Sequence, residues 1–407
     1  MIAAAVQSGD VARFFALDDM PRGLFVMVFA GAGLLVHGGR CILALRYRPL
    51  EAPPEHRLPS LSVIVPAYNE GANVRRTILS VLASRYPTSR IEVIAVDDGS
   101  TDDTWTFIQA AARRDPDRVI VVRHPRNKGK REALATGMAR ARGEVVVTVD
   151  SDSTLEPDAL RHLVAPLVAD ERVAVVSGNV FVMNRDCNLL TKLQSANFAI
   201  AYSYERAAQS VCGAVLCCPG VLSAYRRAAV APIIERWSRQ TFLGAPCSVG
   251  EDVALTTVLI GMGYRSVYQS TSIGHTIMPH RFSRMCRMLI RWKRGNLREA
   301  IQVLRNLARG QRPPRWGWAL VESLRELFEW PAVMLATVLL LRCMGDVPQY
   351  LAVVGVTSLL ISLNGLRAAV SLDFVYFVGY VVLHIIALPW LYPYSLFTIR
   401  DGRWLTR

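Results

Sequence analysis

The feature that most constrains the fold is an alternation, between residues 61 and 149, of short β-branched runs with segments of helical periodicity. The runs are Leu61 to Val65, Ile91 to Val96, Val119 to Val122 and Glu144 to Val149. The helical patterns between them lie near Val74 to Ser84, Thr104 to Arg113 and Lys130 to Arg142. Each run is almost continuously apolar, which indicates strands buried on both faces. The alternation therefore predicts an α/β domain with a mostly parallel sheet.

Polar clusters follow three of these strands at the point where each ends. Tyr68 and Glu70 come after the first, Asp98 after the second, and Asp150 and Asp152 after the last. In open α/β sheets ligands bind beyond the carboxyl ends of the strands, so the clusters are expected to meet in one crevice. One such cluster is usually a turn or a helix cap. Three in register favour a binding site.

The chemistry of two segments predicts a diphosphate-bearing ligand and a divalent ion. An Asp-x-Asp pair offers two hard oxygen ligands to Mg²⁺ or Mn²⁺. We assign Asp152 as the metal ligand, with Asp150 beside the diphosphate-bearing ligand, which is the donor. The segment Asn127 to Arg131 opens a helix, and both a helix N-terminus and the Lys130 ammonium favour phosphate. Lys130 is therefore predicted to contact a diphosphate.

A second set of candidates lies farther along the chain. Gly250-Glu251-Asp252 precedes an apolar helix, where a carboxylate can accept the proton of an attacking hydroxyl, although a helix cap has the same pattern. Basic and apolar residues interleave from Arg281 to Arg309, as in an amphipathic helix on a membrane surface. In it, Arg291 suits a diphosphate and Trp292 a sugar face; the alternative is an interfacial tryptophan beside a headgroup arginine.

Apolar residues make up 52% of the 407, and the surplus is concentrated at the two ends. The apolar stretches are Leu24 to Leu45, Trp330 to Leu341, Tyr350 to Leu366 and Phe374 to Phe397. They predict transmembrane and interfacial helices. The net charge of +14 indicates a lipid bilayer as the partner, because the arginines cluster where apolar helices begin. No nucleic acid partner is expected. The eight cysteines show neither zinc-site nor disulfide spacing.

Four regions follow from these patterns. Residues 1–48 hold one transmembrane helix, 49–280 the catalytic domain, 281–330 amphipathic interfacial helices, and 331–407 a C-terminal transmembrane region with a basic tail. Arg46 and Arg48 place the following domain in the cytosol by the positive-inside tendency. The same tendency predicts a cytosolic C-terminus, so one C-terminal stretch is expected not to cross, either Trp330 to Leu341 or the last one, interrupted by Pro389 and Pro393.

Several motifs together resemble the processive family 2 glycosyltransferases, which include rhizobial chitooligosaccharide synthases and hyaluronan synthases. They are Val96-Asp97-Asp98-Gly99-Ser100, Asn127-Lys128-Gly129-Lys130-Arg131, Val149-Asp150-Ser151-Asp152-Ser153, Cys217-Cys218-Pro219-Gly220, Tyr225-Arg226-Arg227 and Gly250-Glu251-Asp252. The resemblance spans nearly the whole chain and implies the GT-A nucleotide-sugar fold. It also implies an inverting enzyme of a bacterial inner membrane that moves a sugar, with N-acetylglucosamine expected, from a UDP-sugar donor to a growing β-linked glycan acceptor.

By this resemblance Asp252 is the catalytic base, Asp98 contacts the uridine, Asp150 and Asp152 meet the diphosphate and metal, and Trp292 borders the acceptor. The full prediction adds Tyr68, Glu70, Lys130 and Arg291 on the donor side and Glu251 on the acceptor side. The tail around Trp404 is similar to that of hyaluronan synthases, with Leu405 in place of a glycine.

One departure from the family leaves an alternative open. Where the family has Gln-x-x-Arg-Trp, this chain has Met288-Leu289-Ile290-Arg291-Trp292 and so lacks the glutamine amide of the acceptor site. Transfer of a single sugar to a lipid or short glycan is therefore the alternative to processive elongation. A catalytically silent membrane scaffold is the alternative from another class, and a transporter is disfavoured because the apolar stretches hold little charge.

Overall fold

The computed structural model describes residues 37–311, 317–328, 331 and 373–402. The strands are β1 (Leu61–Ala67), β2 (Ile91–Asp97), β3 (Val119–Arg123), β4 (Val145–Thr148), β5 (Thr154–Leu155), β6 (Val173–Val182), β7 (Ser223–Arg226), β8 (Thr241–Phe242), β9 (Ala245–Pro246) and β10 (Arg265–Thr276). Between residues 61 and 149, every predicted strand and helix is confirmed to within two residues at each end.

The helices surround this sheet and continue beyond it. They are α1 (37–46), α2 (Asn73–Leu82), α3 (Thr104–Arg114), α4 (Lys130–Arg140), α5 (Ala159–Leu163), α6 (Ala165–Ala169), α7 (Leu189–Ile200), α8 (Ala207–Val211), α9 (Arg227–Val230), α10 (Ile234–Ser238), α11 (Glu251–Gly261), α12 (Phe282–Ala308), α13 (317–328), α14 (Asp373–Ala387) and α15 (Leu391–Phe397). A π-helical turn, Ala201–Arg206, joins α7 to α8. Such turns are rare and often lie near functional sites.

Eight strands form one sheet in the order β3-β2-β1-β4-β7-β6-β10-β5. The pairs β1–β2, β1–β4, β2–β3 and β6–β10 are parallel, while β7 runs against both β4 and β6, and β5 against β10. The prediction of a mostly parallel sheet is confirmed, and the reversed β7 makes it mixed. All seven residues of β1 are buried, as expected of a strand covered by helices on both faces.

The register brings the three polar clusters to one edge of the sheet. Ala67 at the end of β1 pairs with Asp97 at the end of β2, and Ile64 pairs with Thr148 at the end of β4. The chain that follows each strand therefore emerges beside its neighbours. This is the crevice predicted from the order of strands.

The polar face of α12 differs from the predicted one. Arg284, Arg287 and Arg305 are exposed, as a helix on a membrane surface requires. Arg294 and Arg298, however, are 1% and 2% exposed and point into the protein, so the prediction that they face a membrane surface is wrong for these two. Both find acceptors in segments that are distant in sequence, which offset the desolvation of a buried charge.

The last apolar stretch contains a break. Helices α14 and α15 meet at an angle of 59°, and together they have the length and composition of one bent or re-entrant span. Within the part of the chain that the structure describes, no single helix is long and apolar enough to cross a bilayer. Pro389 lies in the break, as expected of a residue that cannot continue a helix. Residues 1–36, the stretch 332–372 and the Trp404 tail lie outside the described residues.

Candidate active site

Lys130 lies at the centre of the site and joins its two halves. Its ammonium Nζ is 2.7 Å from Asp150 Oδ1 and 2.9 Å from Glu251 Oε1. Asp150 belongs to the turn after β4, whereas Glu251 opens α11, more than a hundred residues later. The predicted phosphate contact and the two predicted carboxylates are thus adjacent in space.

A glycine allows this ion pair to form. Gly220 passes so close that a Cβ added to it would lie 2.7 Å from both Asp150 Oδ1 and Lys130 Nζ. A side chain here would push the pair apart. The Cys217-Cys218-Pro219-Gly220 segment therefore lines the site, although no residue of it was among the predicted site residues.

The charges of this cluster shift one another's proton affinities. Burial disfavours the charged form of Lys130, but Asp150, Glu251 and Asp252 outweigh it and raise its pKa above the ordinary value. Burial also opposes ionisation of Glu251, yet the neighbouring Lys130 lowers the pKa of this carboxyl to about 2. Both groups are charged across the physiological range, and their attraction fixes the start of α11 against the start of α4.

The carboxyl of Asp152 has a raised pKa, in contrast to that of Glu251, and it fits a cation ligand. Burial, and then repulsion by Asp150, raise its pKa to about 6. Two carboxylates that repel each other in a sheltered pocket are stabilised when a divalent cation lies between them. Within the described residues no group of three or more His, Cys, Asp and Glu side chains is arranged to hold a metal ion. Mg²⁺ and Mn²⁺ suit such a sparse set, because substrate phosphates and water complete their coordination.

Asp252 is the second carboxyl of raised proton affinity. Burial and the adjacent Glu251 raise its pKa to about 6, against the attraction of Lys130. Its Oδ1 accepts a hydrogen bond from the Val253 amide at 2.8 Å, and the Cys217 thiol lies 3.7 Å from its Oδ2. An aspartate of this kind is a stronger base than an exposed one and is still largely ionised at pH 7.

Helix α12 reaches the site through a contact between two glycines. Gly250, with a left-handed φ of +68°, lies against Gly295, and a Cβ on either residue would approach the other's Cα to 3.0 Å or less. Arg298 donates to the Val249 carbonyl beside this contact. One turn before Gly295, burial lowers the pKa of Arg291, while Glu251 and the other site carboxylates act in the opposite direction and favour its charged form.

Asp98 is buried beneath the loop that precedes α4. Its Oδ1 accepts from the Lys128 amide at 2.9 Å, and its Oδ2 accepts from the Gly129 amide at 2.7 Å. It is 2% exposed, so in this structure its carboxylate holds the loop that leads into Lys130. Its predicted contact with uridine stays a prediction.

Tyr68 and Glu70 lie where β1 ends, half-buried. Glu70 Oε1 accepts a hydrogen bond from the Ser151 hydroxyl at 3.0 Å, which ties the first cluster to the Asp-x-Asp turn. The structure therefore brings the three predicted clusters together. The donor-binding roles of Tyr68 and Glu70 stay predictions.

Trp292 and Met288 also belong to α12. The indole of Trp292 is 39% exposed and its ring centre lies 6.1 Å from that of Phe198 on α7. Met288 packs in an apolar cluster that includes Met285 and Leu391. A glutamine amide at position 288 would be buried among these side chains, which is why methionine suits this chain.

Comparison with known proteins identifies the family. A family profile described as Glycosyl transferase family 2 matches residues 62–233. A hyaluronan synthase of Streptococcus pyogenes is 34% identical over 373 residues, which cover 90% of this chain and 87% of the relative. An N-acetylglucosaminyltransferase of Rhizobium meliloti is 32% identical over 394 residues, 92% of this chain and 89% of the relative.

A solved structure shares the fold. The mannosyltransferase of Pyrobaculum calidifontis, solved with GDP-Man and Mn²⁺, has a TM-score of 0.60 and 23% sequence identity, over 92% of this chain and 98% of its own. This likeness extends the GT-A expectation from motifs to the arrangement of the strands. The sequence relatives and the family profile show that the chain belongs to glycosyltransferase family 2 and is a glycosyltransferase.

Proposed function

We propose that this enzyme transfers N-acetylglucosamine from UDP-N-acetylglucosamine to a growing β-linked glycan of the chitooligosaccharide or hyaluronan type. The observation that carries the proposal is the position of Lys130, 2.7 Å from Asp150 and 2.9 Å from Glu251. It joins the pocket of the Asp-x-Asp turn to the helix start that carries Asp252. The printed names of the relatives, a hyaluronan synthase and N-acetylglucosaminyltransferases, supply the sugar class.

The acidic character of the whole site favours an added positive charge near the donor. Four carboxylates converge here, those of Asp150, Asp152, Glu251 and Asp252, against the cations of Lys130 and Arg291. A diphosphate would add further negative charge to a pocket that is already acidic. Asp152 and Asp150 are the side chains that would hold Mg²⁺ or Mn²⁺. When bound, such an ion neutralises the departing nucleotide diphosphate.

The chain's own cations then have distinct tasks. Lys130, which pairs with both Asp150 and Glu251, is placed to contact a phosphate oxygen while it keeps Glu251 as its partner. Arg291 approaches from α12 and can bind a second phosphate oxygen with its planar guanidinium. Asp98 shapes the nucleotide end of the pocket, and Tyr68 and Glu70 line the crevice at the end of β1.

The acceptor half centres on Asp252. Its raised pKa of about 6 suits a general base that removes the proton of an acceptor hydroxyl at neutral pH. Attack of that hydroxyl on the anomeric carbon breaks the bond to the diphosphate on the opposite face, which inverts an α-linked donor sugar into a β-linked product. Glu251 remains ionised and anchors the helix start, and the exposed face of Trp292 borders the acceptor.

A bacterial inner membrane is the proposed location, with the catalytic domain and the C-terminal segment both in the cytosol. Arg294 donates to Thr398 Oγ1 at 2.8 Å and to the Asp401 carbonyl at 3.2 Å, and the Ser248 hydroxyl donates to the Gly402 carbonyl. These contacts favour a position of residues 398–402 on the same side of the bilayer as the catalytic domain. This supports the topology expected from the charges.

The Asp252→Asn variant tests the proposal. Loss of a general base is expected to lower turnover about 100-fold or more, while the affinity for UDP-N-acetylglucosamine changes little. UDP release by purified enzyme with Mn²⁺ gives turnover, and calorimetry gives donor affinity. Asp117→Asn, at an exposed site away from the crevice, is the matched control. Turnover by Asp252→Asn equal to that of this control would remove Asp252 from the mechanism.

Transfer of a single sugar is the second candidate, favoured by Met288. Its apolar side chain is buried in the cluster with Met285 and Leu391, so position 288 offers no amide to an acceptor. Sizing the products formed from labelled donor separates the two: a ladder of lengthening chains supports elongation, and one product longer by a single sugar supports the second candidate. A catalytically silent scaffold predicts no product.

A further inference from the structure

A buried histidine lies beneath the donor side of the site and is not among the residues assigned so far. His124 directly follows β3 and is 6% exposed. Its backbone amide donates to the Asp97 carbonyl at 2.8 Å, which fixes the backbone. Its ring bridges two elements, with Nδ1 2.7 Å from Asp98 Oδ1 and Nε2 3.0 Å from Thr136 Oγ1 on α4.

The proton positions follow from the chemistry of the partners. A carboxylate only accepts hydrogen bonds, so Nδ1 carries a hydrogen and donates it to Asp98. The Thr136 hydroxyl can either donate to Nε2 or accept from it, so it satisfies the ring in both protonation states. The imidazole therefore connects Asp98 to the body of α4 whether or not it is charged.

Asp98 collects three hydrogen bonds and thereby shapes one loop. Besides the imidazole, the Lys128 and Gly129 amides donate to it. The loop also rests on Gly99, whose φ is +70° and where an added Cβ would lie 2.6 Å from the Asn127 nitrogen. With no room beneath it, the loop takes its position from the orientation of this carboxylate.

We infer that His124 is a positioning residue for the donor: it orients Asp98, which holds the Lys128 and Gly129 amides and so sets where Lys130 meets the diphosphate. Gly129 has a φ of +94° and turns the chain into α4, and Lys130 follows it directly. Loss of the imidazole leaves each oxygen of the buried carboxylate with a single amide donor, so its orientation then depends on the loop that it is meant to position. The inference rests on the proposed function, because it assumes a nucleotide diphosphate donor.

The test compares two amides that each reproduce one side of the ring. In His124→Asn the side-chain nitrogen takes the place of Nδ1 and keeps the donor to Asp98, whereas in His124→Gln the longer amide reaches the Nε2 side, toward Thr136. We expect His124→Gln and His124→Leu to raise the dissociation constant for UDP and the donor KM about 10-fold. His124→Asn is expected to stay within about threefold of the unchanged enzyme. The acceptor KM should not move in any of them.

A merely structural role gives a different pattern, because partial unfolding reduces the amount of active enzyme and leaves both KM values unchanged. Should His124→Leu fail to fold, the comparison of Asn with Gln decides. Equal donor KM values for these two, or a better value for Gln, overturn the inference. Failure of the proposed function is distinct: the unchanged enzyme would then turn over no UDP-sugar at all.

Discussion

Replacing Gly295 with alanine tests whether the contact between α11 and α12 positions the catalytic groups. A Cβ at this site would lie 3.0 Å from the Gly250 Cα. Carbon atoms in good contact are about 3.5–4.0 Å apart, so the two helices must separate by roughly 0.5–1 Å. Because Gly250 immediately precedes Glu251 and Asp252, that movement is transmitted to the base.

The stability change is expected to be small and the activity change large. Overpacking of this kind costs about 1–3 kcal/mol, and alanine in place of glycine inside a helix returns about 0.5–1 kcal/mol. A displacement of about 1 Å in an active site, by contrast, lowers turnover as much as 100-fold. We therefore expect the turnover of Gly295→Ala to be about 10-fold to 100-fold lower, and its melting temperature to be only a few degrees lower.

Gly261→Ala is the matched control. Gly261 is also helical, in α11, but no atom lies within 4 Å of an added Cβ. UDP release and thermal unfolding of both variants in the same detergent give the comparison. If Gly295→Ala turned over at the rate of Gly261→Ala, the contact would have no part in positioning Asp252.

Two further predictions follow from the charges of the site and of α12. The kcat should fall as the pH drops through about 6, because Asp252 must be ionised to act as a base. The Glu251→Gln variant removes a negative neighbour and so lowers the Asp252 pKa. The fall in its kcat, the acid limb of the pH profile, should therefore move to lower pH. A pH profile of each enzyme measures the limb, and a shift to higher pH would contradict the electrostatic account. Arg294→Met should lower the free energy of unfolding by about 2–4 kcal/mol and speed tryptic cleavage after Arg400, since Thr398 and Asp401 lose their partner. Arg305→Met, at an exposed site of the same helix, should leave cleavage unchanged, and equal cleavage of the two variants would refute the docking.

The part of the fold that could be predicted from sequence is the part that local patterns encode. Continuous β-branched runs identified β1 to β4, since strands buried on both faces need apolar residues at every position. The carboxylates after those strands identified the crevice, because parallel strands end at a common edge. No local pattern indicated that β7 would enter the sheet antiparallel between β4 and β6.

Contacts between distant segments account for what sequence reasoning missed. The burial of Arg294 depends on acceptors more than a hundred residues away, so periodicity alone assigned it to the outer face of α12. Lys130 was expected to meet a phosphate, and nothing local indicated that it also binds Glu251. A glycine within a helical pattern, at Gly295, was a usable signal of close approach. His124 carried no signal, because one histidine after a strand has many structural uses.

The docking of Arg294 also has a consequence for synthesis of the chain. Its partners Thr398 and Asp401 lie 104 and 107 residues downstream. At a translation rate of about 5–20 residues per second, Arg294 is added to the chain roughly 5–20 s before either partner. During that interval the Arg294 guanidinium lacks both of these partners, so α12 cannot yet dock through it. A ribosome-bound intermediate of this length therefore has α12 without the contacts that later hold Arg294 against residues 398–401.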